Sequence, residues 1–198
     1  MLHIKRILDI IISIVLLIVL LPIFICIIIL IKITSKETVF FVWNVIGKNG
    51  KPFTGYKFRT MINYADDYKM KLQKFNEMSG PVFKIKNDPR ITKLGKYLRK
   101  FSLDELPQLW SVLKGDMSLV GPRPAGPHEW NQYKQWHKRK LSVTPGITCL
   151  WQVNGRNKIY EFDEWIKLDL EYIDNWSLWL DIKILFKTIP VVLKGTGR

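Results

Sequence analysis

Apolar residues run almost without interruption from Ile7 to Ile31, broken only by Asp9, Ser13, Pro22 and Cys26. About 20 such residues suffice for a helix to span a bilayer. The run is too long for a secretory signal and no small-residue cleavage site follows it, so it reads as a retained membrane helix. Pro22 lies inside it. A proline there removes a backbone hydrogen bond and clashes with the preceding turn, which predicts a kink at Leu21-Pro22. Basic residues flank both ends, Lys5 and Arg6 before it and Lys32 and Lys36 after it. The residue pattern favours a straight span; a helix that bends at Pro22 and returns to the same face is the alternative.

Beyond this run the period of the pattern changes. Val39–Trp43 and Phe53–Phe58 read as strands, joined through Asn49-Gly50, a favoured hairpin turn. Tyr64–Met78 is charged and predicts a surface helix ended by Gly80-Pro81. Thr92–Lys100 predicts another, with Lys93, Lys96 and Lys100 along one face. Ser102 and Glu105 have the spacing of a capping box, while Pro107 as first helical residue is an equally sensible start. On either reading Asp104 and Glu105 lie at a helix N-terminus, where the positive end of the dipole favours anions. Gly126–Lys140 predicts a helix, Thr144-Pro145-Gly146 a turn, Asn154-Gly155-Arg156-Asn157 a polar loop and Phe162–Ile173 a further helix. Trp176–Leu193 is amphipathic and carries two Trp, which suits a helix lying in a membrane interface. The expected fold is α/β and mainly helical: residues 1–36 a membrane helix with basic flanks, residues 37–198 a globular, membrane-associated domain with a small β-hairpin.

Charge narrows the choice of partners. The 198 residues hold 31 Lys+Arg against 17 Asp+Glu, a formal charge of +14. Such an excess attracts polyanions, either an anionic membrane face or nucleic acid. With 13% aromatic residues, 8 of them Trp, the chain is no disordered basic tail. Cys26 lies in the apolar run and Cys149 far from it, so no disulfide is expected and the polar domain suits a reducing, cytoplasmic setting.

Candidate chemistry concentrates in Phe101–Pro124. Asp104 and Glu105 stand between Arg99-Lys100 and a rigid Gly121-Pro122-Arg123-Pro124 turn. Magnesium takes oxygen ligands and phosphate takes the guanidinium fork, so this set suits a magnesium-bound diphosphate. Two readings of the acids stand: a helix cap with a salt bridge to Arg99, or a nucleophile or magnesium ligand with its partner. Arg123, pinned between Pro122 and Pro124, is a diphosphate or nucleotide clamp or else a structural corner. Lys57 and Arg59 share one strand face, as phosphate contacts or as charges guarding an edge strand. Arg156 belongs to a polar loop that on its own reads as a plain turn. Asp169, set among apolar neighbours, is the best candidate among the acids of 163–174. His3, His128 and His137 lack metal-ligand spacing, and no Walker loop, dinucleotide fingerprint or zinc motif is present.

KRILDIIISIVLLIVLLPIF, KFRTM, ITKLGKYLRK, SLDELPQLWSVLKGDMSLVGPRP, PGIT, WQVNGRN and LDLEYIDNWSLWLDIKILFKT occur in this order. They resemble the bacterial polyprenyl-phosphate phosphoglycosyl transferases of the monotopic superfamily, in a minimal, stand-alone form. The PHEW and NWSLWLDIKIL passages are most similar to the hexose-1-phosphate transferases that start exopolysaccharide or O-antigen repeat units. The resemblance implies that a nucleotide-diphosphate sugar, usually UDP-linked, gives its sugar-1-phosphate to a polyprenyl phosphate and releases UMP. It implies Asp104 as the nucleophile of a covalent aspartyl phosphosugar and Glu105 as its partner in magnesium and proton handling. Arg99 then binds phosphate, Arg123 with Pro122 and Pro124 lies in the nucleotide-binding turn, and Lys57, Arg59, Arg156 and Asp169 complete the expected substrate contacts. The resemblance also reverses the topology, implying a re-entrant helix broken at Pro22 that enters and leaves by the cytoplasmic leaflet of the bacterial inner membrane. The expected partners are a UDP-sugar, polyprenyl (undecaprenyl) phosphate and the phospholipid membrane, with Mg2+ as cofactor and no nucleic acid; a homodimer is compatible.

The chain departs from the family pattern at Trp43 and Val45, where Gln and Arg are usual, and at Leu21, Phe101 and Cys149, where Ser, Thr and Gly are usual. An active enzyme is still expected. A membrane-tethered nucleic-acid module would interleave basic and aromatic residues on one face, whereas here the aromatics gather in the strands and the last helix. A catalytically silent scaffold has no need of the intact Asp104, Glu105, Arg99 and Arg123 set.

Overall fold

The computed structural model describes residues 1–156 and 158–197; Asn157 of the polar loop lies outside the described residues. The apolar run forms two helices, α1 (Leu2–Val19) and α2 (Leu21–Thr34). They are not the straight helix that the residue pattern favours, because the pair bends by 59°. The break falls at Leu20, and Pro22 occupies the first turn of α2, where its missing N–H has no partner to lose. At about 1.5 Å per residue, α2 is shorter than the ~30 Å hydrocarbon layer. No single helix among the described residues is long and apolar enough to cross a membrane, and only the bent pair meets that test together, by length and composition.

The polar residues of α1 face the domain. Asp9 and Ser13 are buried, and Asp9 accepts the Leu119 N–H at 3.1 Å. Lys5 Nζ lies 2.6 Å from Asp181 Oδ2 and donates to the Val120 carbonyl at 3.0 Å. Arg6 donates to the Val112 and Leu113 carbonyls. These carbonyls close α5 (Gln108–Lys114), where a cation complements the helix dipole. Lys5 and Arg6, which the pattern presents as the flank of a span, are thus docking residues. Around them, Ile7, Ile11 and Ile18 stay more than half exposed, a bare apolar face.

β1 (Phe40–Ile46) and β2 (Pro52–Phe58) form the expected antiparallel hairpin, with Trp43 opposite Gly55 and Phe40 opposite Phe58. Its turn places Asn49 at φ 56° and Gly50 at φ 76°, a left-handed pair that Asn and Gly tolerate. Phe58 stacks on Phe40 and meets Phe24 edge-on, tying the hairpin to α2.

Two predicted helices break up. Tyr64–Met78 is α-helical only over α3 (Lys69–Leu72), followed by a short 3₁₀ turn. The Asn76 side chain bonds the Met78 and Val82 carbonyls and the Lys84 N–H, an alternative to continuing the helix. Gly126–Lys140 divides into α6 (Pro127–Asn131) and α7 (Gln135–Lys138), with Lys134 extended between them. The division lets Tyr133 turn into the core against His137 and Phe162. α4 (Lys93–Lys100) forms as expected, capped by Thr92, which accepts the Gly95 N–H at 2.9 Å, and Lys93, Lys96 and Lys100 are exposed.

β3 (Ser118–Val120) and β4 (Gly146–Thr148) pair in parallel. Their ends approach so closely that a Cβ on Gly146 would lie 2.0 Å from the Gly121 nitrogen. Glycine is therefore required there, and the Pro122 carbonyl accepts the Gly146 N–H at 3.0 Å. α8 (Leu150–Val153), α9 (Phe162–Asp174) and α10 (Leu178–Leu193) complete the chain. Ser177 caps α10 by accepting the Leu180 N–H at 3.1 Å. Trp179, Phe186, Ile189 and Leu193 leave one side of α10 apolar and exposed, while Asp181 and Ile184 are buried on the other. The result is α/β and mainly helical, with small sheets.

Replacing Lys5 with Met leaves the Asp181 carboxylate buried without its cation. A loss of roughly 3 kcal/mol is expected, read as a lower unfolding midpoint in detergent; Lys36→Met, on the exposed flank, leaves the midpoint unchanged.

Candidate active site

After α4 the chain reverses through Ser102, whose φ of 55° is left-handed and uncommon for a residue with a Cβ. Arg156 Nη1 donates to Ser102 Oγ at 2.7 Å, and the Ser102 N–H bonds the Arg99 carbonyl at 3.0 Å. The next three residues, Leu103–Glu105, make a 3₁₀ turn carrying the two acids, and α5 begins just after Pro107. Of the two helix starts open in the sequence, the proline wins. Ser102 serves Arg156 instead of a capping box, and Glu105 Oε1 lies 2.6 Å from Lys57 Nζ.

Asp104 and Glu105 face a cavity of about 550 Å³. Lys57, Arg59, Arg99, Arg123 and Arg156 line it too, together with Trp43, Thr60 and residues of the 61–67 loop. Each cation is held by a short contact. Arg99 Nε donates to Thr60 Oγ1 at 3.0 Å, in place of the salt bridge to the acids that one reading anticipates. Arg59 donates to the Thr38 carbonyl at 2.8 Å. Arg123 Nη1 lies 3.3 Å from Glu129 Oε2, which also accepts the Gly126 N–H. Glu129 was not singled out in the sequence; its signal is an acid in the first turn of the helix that opens at Gly126. Pro122 and Pro124 do not line the cavity but bracket Arg123 within the turn that Gly146 clamps. Asp169 does not line it either. It is buried and paired with Lys140, 2.6 Å away, so its expected contact with substrate has no direct route in this geometry.

The environment separates the two acids. Asp104 is buried and has no direct hydrogen-bond or ion-pair partner among the described residues. Burial pushes its carboxyl pKa up, and the neighbouring charge of Glu105 adds to this against the pull of Lys57, Arg99 and Arg156. At Glu105 burial also works upward, but Lys57 in contact and Arg156 nearby outweigh it and hold the pKa below the usual value. Environments that drive two carboxylates apart assign them different roles. Asp104 is the more basic of the two and has no direct partner among the described residues, whereas Lys57 in contact holds Glu105 below its usual pKa. The donor set also fits magnesium, which commonly takes one or two carboxylates and completes its shell with water and substrate phosphates. Among the described residues no cluster of three or more His, Cys, Asp or Glu side chains could hold a metal by itself.

A second cavity, of about 240 Å³, adjoins the first through Glu105 and Arg156. Its walls are mostly apolar: Leu16 and Leu20 at the helix break, Leu106 and Leu109 below the acids, Ile147, and Leu185, Val191 and Val192 of α10.

The chain belongs to the bacterial sugar transferase family, whose model matches residues 1–195. It is 55% identical over 157 residues to the galactosyl transferase CpsE of Streptococcus agalactiae, covering 79% of this chain and 35% of that protein. It is 47% identical to the undecaprenyl-phosphate galactose phosphotransferase of Salmonella typhimurium, over 77% of this chain and 33% of that one. The exopolysaccharide production protein ExoY of Sinorhizobium fredii is 40% identical over 98% of this chain and 87% of its own. The chain thus spans about one third of the length of the first two relatives, and most of the third.

Lys57 is the foremost of the charges that lower both carboxyl pKa values. Lys57→Met should therefore raise the pH at which Asp104 titrates, as followed by carboxyl-carbon NMR; an unchanged titration would contradict this account of the pair.

Proposed function

We propose that this chain transfers a hexose-1-phosphate from a UDP-sugar to undecaprenyl phosphate, releasing UMP, as the first step in assembling an exopolysaccharide repeat unit. One observation carries the reading. A buried carboxylate without a direct partner among the described residues, Asp104, lies among Lys57, Arg99, Arg123 and Arg156 in a cavity of nucleotide-sugar size, and an apolar cavity adjoins it through Glu105 and Arg156.

In this mechanism an Asp104 carboxylate oxygen attacks the sugar-bearing phosphorus. The bond from that phosphorus to the bridging oxygen breaks, its electron pair leaves with UMP, and an aspartyl phosphosugar remains. An oxygen of the acceptor phosphate then attacks the same phosphorus, and the Asp104 carboxylate departs. The surrounding cations stabilise charge on the transferring group, already oriented by their contacts with Thr60, Glu129 and Ser102. A magnesium ion, held by Asp104, Glu105 and the donor's phosphate oxygens, would offset the charge of the diphosphate.

The apolar cavity suits the first prenyl units of the acceptor, with its phosphate beside Arg156. The bare faces of α1, α2 and α10 suit a lipid surface, and the 59° bend supports a re-entrant pair inserted from the cytoplasmic side of the bacterial inner membrane. Galactose and glucose are the first sugars to test; galactose is named for two of the relatives.

Purified protein with magnesium, undecaprenyl phosphate and UDP-galactose or UDP-glucose should release UMP. Asp104→Asn should lower the rate by at least ~10³-fold. Wild-type protein incubated with donor alone should gain the mass of one sugar phosphate, and the variant should not. Absence of UMP with every donor would overturn the proposal.

A further inference from the structure

We infer that Trp43 is a specificity-determining residue that stacks against the apolar face of the donor's sugar ring, an inference resting on the transfer reaction proposed above. Alternation along β1 puts Phe41, Trp43 and Val45 on one face. Val45 is buried, while Phe41 and Trp43 line the cavity that holds the acids. The two rings stack, with centroids 5.5 Å apart and planes 15° from parallel.

The indole is also fixed from the neighbouring strand. Gly55 is its cross-strand partner, and a Cβ added to Gly55 would come within 3.0 Å of the indole ring. Trp43 therefore rests across a residue without a side chain, and little is left free to rotate. A rigid aromatic surface inside a cavity of charged groups is poorly served by water and well served by a ligand with an apolar face. Pyranoses offer such a face in their ring C–H groups.

Position separates the sugar from the nucleobase. Lys57 Nζ lies 5.4 Å from the Trp43 ring centre and 2.6 Å from Glu105 Oε1, so the indole is one lysine away from the reacting carboxylates. When Asp104 attacks the sugar-bearing phosphorus, the sugar is attached to that phosphorus through a single oxygen. The base lies beyond a second phosphate and a ribose. The aromatic surface beside Lys57 therefore meets the sugar.

The test compares wild type, Trp43→Ala and Trp43→Tyr in detergent with undecaprenyl phosphate and magnesium, after thermal unfolding has shown the variants folded. KM and kcat are measured for the UDP-sugar that the wild type uses, and inhibition constants for UDP and UMP, which carry no hexose. Trp43→Ala should lower kcat/KM about tenfold, the scale of one aromatic stacking contact. It should leave UDP and UMP inhibition within about twofold, and Trp43→Tyr should restore most of the loss. Equal weakening of UDP and UDP-sugar would mean that the base stacks on Trp43 and would overturn the inference. An unchanged kcat/KM in Trp43→Ala would reduce the indole to a cover for Gly55. A wild type that releases no UMP would instead refute the transfer reaction, an outcome distinct from either.

Discussion

Lys5 reaches Asp181 from within a mostly apolar helix, and Asp181 also accepts from the Tyr172 hydroxyl at 2.7 Å and the Trp176 indole at 3.2 Å. Arg6 beside it closes the end of α5, and Asp9 one turn on takes the Leu119 N–H. Charges buried without partners cost several kcal/mol each, so these contacts cannot be surrendered one at a time. They fix the rotation and height of α1 against the domain. Because α5 follows directly on the Asp104–Glu105 turn, they also fix where those acids lie relative to the bare apolar faces. The placement of the bare apolar faces and that of the two acids are then one geometric fact.

That coupling accounts for the two adjoining cavities. The break at Leu20 brings Leu16 and Leu20 beside α10, closing an apolar space next to a highly charged one. Among the described residues, only Glu105 and Arg156 belong to both the apolar cavity and the cation-lined one. In the reaction proposed above, a lipid-linked phosphate and a nucleotide sugar would meet where Glu105 and Arg156 join the two cavities. Within the charged cavity, Glu105 is neutralised by contact with Lys57 and Asp104 is not, although the two are adjacent in the chain. Both acids sit on the 3₁₀ turn that follows the left-handed Ser102, where successive side chains diverge by about a third of a turn and so meet different neighbours.

Much of this could be read from the residues in order. The apolar run, a break close to Pro22, the Asn49-Gly50 hairpin and helices within 92–100, 162–173 and 176–193 follow from periodicity, turn chemistry and capping, which are local. So does the candidate set around Asp104, since Arg99, Glu105 and Arg123 lie within twenty residues of it. Misjudged segments failed for equally physical reasons: Asn76 and Tyr133 find partners outside the helices that their neighbours favour.

What local pattern could not supply was pairing across distance. Lys57 meeting Glu105, Arg156 meeting Ser102, Lys140 meeting Asp169 and Lys5 meeting Asp181 join residues 29 to 176 positions apart. Periodicity carries no information about such separations. The sequence by itself determined which residue types were present and which segments would be helix, strand or lipid-facing surface, because backbone propensity and hydrophobic period act over a few residues. Only the tertiary structure decided which carboxylate keeps a free oxygen, which acid is merely a buried counter-ion and which polar residues of α1 turn inward, because desolvation and charge pairing depend on what the whole fold brings within a few ångströms.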